Sequence, residues 1–324
     1  LTLFALLFGA GLQMLLPRGR RWIQSRLTLL VLLGFIHGLL FWDGDILLAY
    51  GLVGLICWRL VRDAPSVKSL FNTGVLLYLV GLGVLLLLGM ISDSQTSRAW
   101  TPDASSLLYE KYWKLHGSAE AIGNRANAVG DSLLALGAQY GWQLAGMMLI
   151  GAALMRSGWL KGQYSLRHYR RTGMVLVVIG VVINLPAIIL QWRLDWAYRW
   201  CAFLLQLPRE IGAPFQTVGY AALLFGYWPQ LSRFKVVLAI ACVGRMALTN
   251  YLLQTLICTT LFYQLGLFMQ FNRLELLLFV VPVWLANLLF SIIWLHFFRQ
   301  GPVEWLWRRL TLLSSGATTP NTLR

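Results

Sequence analysis

Charge is scarce in this chain. Only 12% of its 324 residues are Asp, Glu, Lys or Arg, and just 12 are acidic, where an average soluble protein is about 25% charged. A water-soluble domain of this size would have too few polar groups to cover its surface. Cysteine is equally sparse. Cys57, Cys201, Cys242 and Cys258 lie far apart with no CxxC pair, which argues against a zinc site or a disulfide framework and leaves them as small buried hydrophobes. No metal centre is expected. The motifs GxxxxGK[ST], HExxH, GxSxG and GxGxxG are also missing, so ATPase, zincin and serine-hydrolase readings lose their usual support.

What the chain has is apolar length. It is 58% hydrophobic with a mean hydropathy of +0.66. Runs such as GVLLYLVGLGVLLLLGMI (74–91) and GMVLVVIGVVINLPAIIL (173–190) match the ~20 helical residues that cross a ~30 Å hydrocarbon core. They are continuously apolar, without the alternation of barrel strands, so helices are expected. The fold class is an all-α, polytopic helical membrane protein.

Nine spans are expected, near 1–16, 26–42, 45–61, 71–91, 132–155, 172–191, 211–229, 236–269 and 276–298. The chain opens without Met inside LTLFALLFGAGLQMLL, and no charged region precedes it. A signal peptide is therefore not expected, and a further N-terminal segment with a tenth helix is. With Arg18, Arg20, Arg21 and Arg26 inside, alternation puts 18 of the 27 basic residues in inner loops and ten of the 12 acidic residues outside. That asymmetry orients the chain with its C-terminus cytoplasmic. It also accounts for the net charge of +15 as loop charge, so no nucleic-acid partner is expected; the partner is the lipid bilayer. Residues 1–300 read as one membrane domain, in which 92–131 form an extracytoplasmic loop with surface helices such as 105–117. Residues 301–324 read as a cytoplasmic interfacial amphipathic helix and tail. The run 236–269 is too long for one span, at about 50 Å, and a break is expected within VGRMALTNYLLQ (243–254).

Polar chemistry within apolar surroundings marks the candidate site. His37, flanked by Gly34 and Gly38, sits about 7–8 Å below the turn that begins at Trp42. Ionisable groups at such depth point to function, and an imidazole suits proton removal from a hydroxyl; the structural alternative is a neutral His bonded to a neighbouring helix. Asp43-Gly44 makes a turn and Asp45 caps the next helix; a carboxylate orienting His37 is the competing role. Arg245, about 13 Å deep if its span begins near Val236, is followed by the polar strip Thr249, Asn250 and Gln254. It either faces a polar cavity shared with His37 or marks a helix break and reaches back to the interface. Arg20, Arg21 and Arg26 fit either the phosphates of an acyl donor such as a coenzyme A thioester or topology and anionic lipid.

The blocks LFALLFGAGLQM, RGRRWIQSRL, HGLLFWDGDILLAYG, VGRMALTNYLLQ and FRQGPVEWLWRRL together resemble the YeiB-like family of bacterial inner-membrane proteins, whose activity is unknown. The resemblance runs over essentially the whole chain; GRMALTNYLLQ and GPVEWLWR are its most specific parts. That family is similar in turn to transmembrane acyltransferases, which move acyl groups onto exported sugars. An apolar helix followed by an Arg-rich inner turn, here Arg20, Arg21 and Arg26, fits that group's pattern. His37 is a candidate from the residues alone, not a matched family position.

The resulting expectation is a membrane acyltransferase-like enzyme acting on a cell-envelope acceptor. Acyl-coenzyme A is the donor substrate, bound at Arg20, Arg21 and Arg26. His37 and Arg245 are catalytic, and Asp43, Asn250 and Gln254 contact a small-molecule or envelope-glycan substrate. The alternative is a secondary transporter or exporter of a small anionic solute, in which Arg245 binds the solute and His37 carries protons. A structural subunit of an envelope complex is a third reading.

Overall fold

Helices supply the regular structure, and no strand occurs among the described residues. The computed structural model of the chain describes residues 1–92 and 100–316, so Arg98 and the tail beyond Gly316 lie outside the described residues. In order, the helices are α1 (Thr2–Leu15), α2 (Arg20–Leu40), α3 (Leu47–Asp63), α4 (Val67–Ile91), α5 (Ala104–His116), α6 (Ser118–Ala135), α7 (Gly141–Arg156), α8 (Leu166–Arg193), α9 (Gln206–Leu231), α10 (Lys235–Arg245), α11 (Ala247–Thr259), α12 (Leu277–Phe297) and α13 (Pro302–Ser315). Single π turns follow α6 at Leu136–Tyr140 and α11 at Thr260–Gln264.

Their ends follow capping chemistry. Ser66 accepts from Ser69 N at 3.0 Å to start α4, and Asp103 accepts from Ser106 N at 2.8 Å to start α5. Pro302 opens α13 at a position where its missing N–H costs nothing.

Five described helical segments are long and apolar enough to cross a bilayer, or six if the bent pair α10–α11 is one span. This is a membrane protein by length and composition, and the expected nine spans are not confirmed among the described residues. α1 is an apolar helix that supplies 14 residues within the described chain. α3 has 17 and ends in Arg59, Arg62 and Asp63. α9 is long enough, but Arg209, Glu210, Gln216 and the interior prolines Pro214 and Pro229 dilute it. The boundary at 132 also moves: α6, the π turn and α7 run together over 39 residues, Ser118–Arg156. The alanine-rich stretch AEAIGNRANAV, read as loop, has the propensity to extend that helix. α5 stands where the surface helix 105–117 was expected, and α13 where the tail helix was.

The chain divides into two compact units. The first comprises Leu1–Ile23, Ala49–Pro102 and Ser132–Pro229. Its centre is α7, packed on α1 and α4. Gly74 of α4 and Gly146 of α7 meet at the crossing, where a Cβ on either would press on the other's carbonyl oxygen, so the two backbones approach as only small residues permit. The second unit comprises Gln24–Leu48, Asp103–Asp131 and Gln230–Arg324. In it α12 packs on α10 and α11, and α13 packs on α11. The candidate site lies wholly within this second unit.

Candidate functional site

The site begins at the C-terminal end of α2. Gly34 faces the start of α3 so closely that a Cβ there would overlap the Leu47–Leu48 backbone. One turn later Gly38 lies against Asp45 and Val129. These two glycines let the returning chain lie on α2 and bring Asp45 to His37. The helix ends at Leu40, whose carbonyl accepts from Arg125 Nη1 at 3.1 Å, and Trp42 folds back with its ring 6.4 Å from both the His37 and Tyr251 rings.

His37 is 3% exposed. Its Nδ1 lies 2.8 Å from Asp45 Oδ1, and its Nε2 lies 3.1 Å from Thr255 Oγ1 on α11. Asp45 is held from three sides. Oδ1 accepts from His37 and from Tyr251 Oη at 3.2 Å, while Oδ2 accepts from Leu48 N at 2.8 Å. The last bond is the helix cap read from the sequence, so one carboxylate both starts α3 and orients the imidazole. A carboxylate on Nδ1 fixes the tautomer with hydrogen on Nδ1 and leaves the Nε2 lone pair facing Thr255. The Thr255 hydroxyl has one hydrogen, with the Tyr251 carbonyl 3.3 Å away as its other acceptor. The arrangement, carboxylate to imidazole to hydroxyl, is that of an activated alcohol nucleophile.

Thr255 also lines a cavity of about 600 Å³ walled by Trp42, Tyr251, Cys258, Phe262, Tyr263 and Phe268, among others. His37 does not line it; Thr255 stands between the imidazole and the open space. Gln254 lines the same cavity and is exposed to it. On this side Lys114 of α5 is 9% exposed, with Nζ 3.2 Å from Glu110 Oε1 and 3.5 Å from Asp43 Oδ2. Its ammonium also lies 5.2 Å from the Phe268 ring centre and 5.6 Å from that of Tyr263. Burial pulls the Lys114 pKa down, but Tyr263, Asp43 and Glu110 outweigh it and hold the value above that of an ordinary lysine.

α11 is aimed by the expected break. α10 and α11 meet at an 85° bend around Met246, which is fully buried. A carboxylate from α13 holds the new helix start: Glu304 Oε1 accepts from Leu248 N at 2.8 Å and Thr249 N at 3.0 Å, and Oε2 accepts from the Thr249 hydroxyl.

The other expected residues fall elsewhere. Arg245 is the last residue of α10 and is exposed, with Nη2 donating to Arg299 O at 2.9 Å. It shares no partner with His37, and the cavity it lines is a separate apolar one with Cys242, Ile293 and His296. The two are not brought together, because the chain turns at the residue after Arg245. Asn250 is buried, and its Nδ2 donates to Val243 O at 3.1 Å and Ser291 Oγ at 2.8 Å; its amide hydrogens are used in bracing the bend rather than facing the Thr255 cavity. Asp43 meets Lys114. Arg20 and Arg21 are exposed on the first turn of α2, and the Arg26 guanidinium lies 3.5 Å over the Trp307 ring. None of these three lines the Thr255 cavity.

Comparison with known proteins gives a 86% identity over 324 residues, all of this chain and 84% of its counterpart, to "Uncharacterized protein YeiB" of Escherichia coli (strain K12). The chain belongs to the YeiB-like family. A family model described as "Protein of unknown function (DUF418)" matches residues 154–314. "Uncharacterized protein YxaH" of Bacillus subtilis (strain 168) is 30% identical over 336 aligned residues, covering 97% of this chain and 79% of that protein. No solved structure matches the chain. The DUF418 match takes in Tyr251 and Thr255 but not His37 or Asp45, so in this YeiB-like protein the site joins a residue pair outside that segment to a pair inside it.

Thr255, Tyr251 and Lys114 were not singled out from the sequence. Thr255 lies one residue beyond the polar strip 249–254, and Lys114 had no signal beyond being a cation in an amphipathic helix.

Proposed function

We propose that this protein is an acyltransferase of the bacterial inner membrane, with its C-terminus cytoplasmic, acting on a hydroxyl of a cell-envelope acceptor. The observation that carries this reading is the Asp45–His37–Thr255 relay ending on the wall of the 600 Å³ cavity. His37 is covered by Thr255, so the hydroxyl it reaches is that of Thr255 itself. Thr255 Oγ attacks the acyl carbonyl of an ester or thioester donor, and its proton passes to His37 Nε2. The bond to the leaving alcohol or thiol breaks, and that group takes the proton from His37. An acceptor hydroxyl then attacks the acyl-Thr255 ester, loses its proton to His37 and receives the acyl group. Thr255 Oγ recovers a proton from the imidazole. Asp45 holds the ring and balances the transient imidazolium. Gln254, exposed in the same cavity, is a side-chain donor available to the developing oxyanion.

In this reading Asp43 acts through Lys114 at the cavity's rim. Arg26, in the same unit as the cavity, offers positive charge suited to the phosphates of a coenzyme A thioester, whereas Arg20 and Arg21 belong to the first unit and take no part in this site. Arg245 and Asn250 keep the α10–α11 bend.

Protein in nanodiscs, given an acyl thioester and a sugar acceptor, is expected to release thiol in step with acylated acceptor. His37→Ala should lower this rate about 10³–10⁴-fold. Equal rates in wild type and variant would end the proposal.

A second reading rests on the bend. Discontinuous helices bind solutes in transporters, and Asn250 Oδ1, buried beside the break, has no hydrogen-bond partner. Proton-coupled solute uptake into proteoliposomes, lost in Asn250→Leu, would favour transport over transfer.

A further inference from the structure

We infer that the acyl group handled at Thr255 is a long hydrocarbon chain, and that the cavity beside it is the chain's binding site. This rests on the acyl-transfer reading of Thr255. An acetyl group would occupy a small corner of a space of about 600 Å³, a volume within the range of sites for much larger ligands. Tyr251, Gln254, Thr255 and Thr259 place their polar atoms along one stretch of α11, and Trp42 and Tyr263 add rings with a polar edge. Phe262, Leu267, Phe268, Phe271 and Leu276 form an apolar wall from the segment that follows. Such a lining fits an amphiphile whose carbonyl sits at Thr255 and whose tail runs among the rings. A polar acyl group would leave that wall unpaired with anything apolar, at about 25 cal/mol per Å² of surface. None of the residues lining the cavity carries a charge, so its wall offers no ionic partner to a charged tail. The chain can arrive as a soluble thioester or from a membrane phospholipid; the hydrocarbon is common to both.

The test uses the full chain in nanodiscs with a sixteen-carbon acyl chain carrying a diazirine near its end. One arm supplies it as the coenzyme A thioester and the other as a phosphatidylglycerol in the disc. After irradiation, peptide mass spectrometry is expected to find adducts within residues 254–276 in at least one arm, and that arm names the source. Thr259→Trp, which fills the cavity, is expected to reduce this labelling at least tenfold. It should also lower the ratio of sixteen-carbon to two-carbon transfer by a similar factor. Labelling confined to helices away from the cavity, such as α8, an absence of adducts, or a ratio unmoved by Thr259→Trp would overturn the inference. Transfer that survives His37→Ala would instead count against the catalytic reading, and the adduct map would still report on the cavity.

Discussion

Polar side chains away from water play two roles in this fold, and one example from each unit shows them. In the first, Arg156 at the end of α7 donates to Gln13 Oε1 at 3.0 Å, to Ala64 O at 3.0 Å and to Val61 O. Tyr50 donates to Leu1 O at 2.9 Å and Tyr78 to Glu210 O at 2.7 Å. Each of these side chains donates to at least one backbone carbonyl, and the helices between them close to glycine contact. In the second unit the His37–Asp45 pair leads through Thr255 to an open cavity. Burial of a polar group therefore does not by itself mark function in this fold; what separates the two is whether the network ends on the backbone or on empty space.

The comparison predicts different failures. The largest effect is His37→Ala, with transfer down about 10³–10⁴-fold and the folded yield little changed. Arg156→Met should do the reverse. Leaving buried carbonyls without donors is expected to cost about 2–5 kcal/mol of stability, read as a lowered Tm in detergent, with activity per folded molecule retained. If Arg156→Met instead abolished transfer in a folded protein, the division of labour between the units would be wrong.

Gly34→Ala sharpens the comparison within the second unit. The added methyl pushes the Leu47–Leu48 backbone off α2 and carries Asp45 away from His37. A displacement of about 1 Å costs on the order of 10²-fold in rate, measurable as a loss in kcat with little change in KM. Next in size is Glu304→Gln. It weakens the cap on α11 by about 1 kcal/mol, seen as faster hydrogen exchange at Leu248 and Thr249.

Lys114→Met has the smallest effect. Because the folded pKa of Lys114 lies above the ordinary lysine value, its ion pairs contribute fully at neutral pH. That contribution is lost only as pH rises through the folded pKa. The Tm gap between wild type and Lys114→Met should thus stay flat through neutral pH and close only in strongly alkaline buffer.

How much was legible in the sequence follows the same division. Apolar runs predicted helices and a membrane, and the overlong run 236–269 predicted the break that forms at Met246. His37 stood out because an imidazole among leucines is costly to bury. Arginines were harder to read. Arg125 caps α2 at Leu40 O, Arg156 caps α3 at Val61 O and Ala64 O, and Arg199 caps α4 at Gly89 O and Met90 O. Arg245 likewise donates to Arg299 O, two residues past α12. Cations at helix C-termini satisfy the last carbonyls and the helix dipole, but partners 54 to 110 residues away leave no local pattern. The count of nine spans is not confirmed, since length and composition mark five or six among the described residues: α3 carries Arg59, Arg62 and Asp63 in its last turns, and Arg209 and Glu210 dilute α9.

The central claim is that Thr255, activated by His37, carries the acyl group. Quenching the purified protein during turnover with a ¹⁴C-acyl thioester and mapping the label by peptide mass spectrometry tests it most directly. The account predicts an ester on Thr255 in wild type and in Thr255→Ser, and none in His37→Ala or Thr255→Val. Full-rate transfer by Thr255→Val, with no acyl adduct on wild-type Thr255, would contradict it.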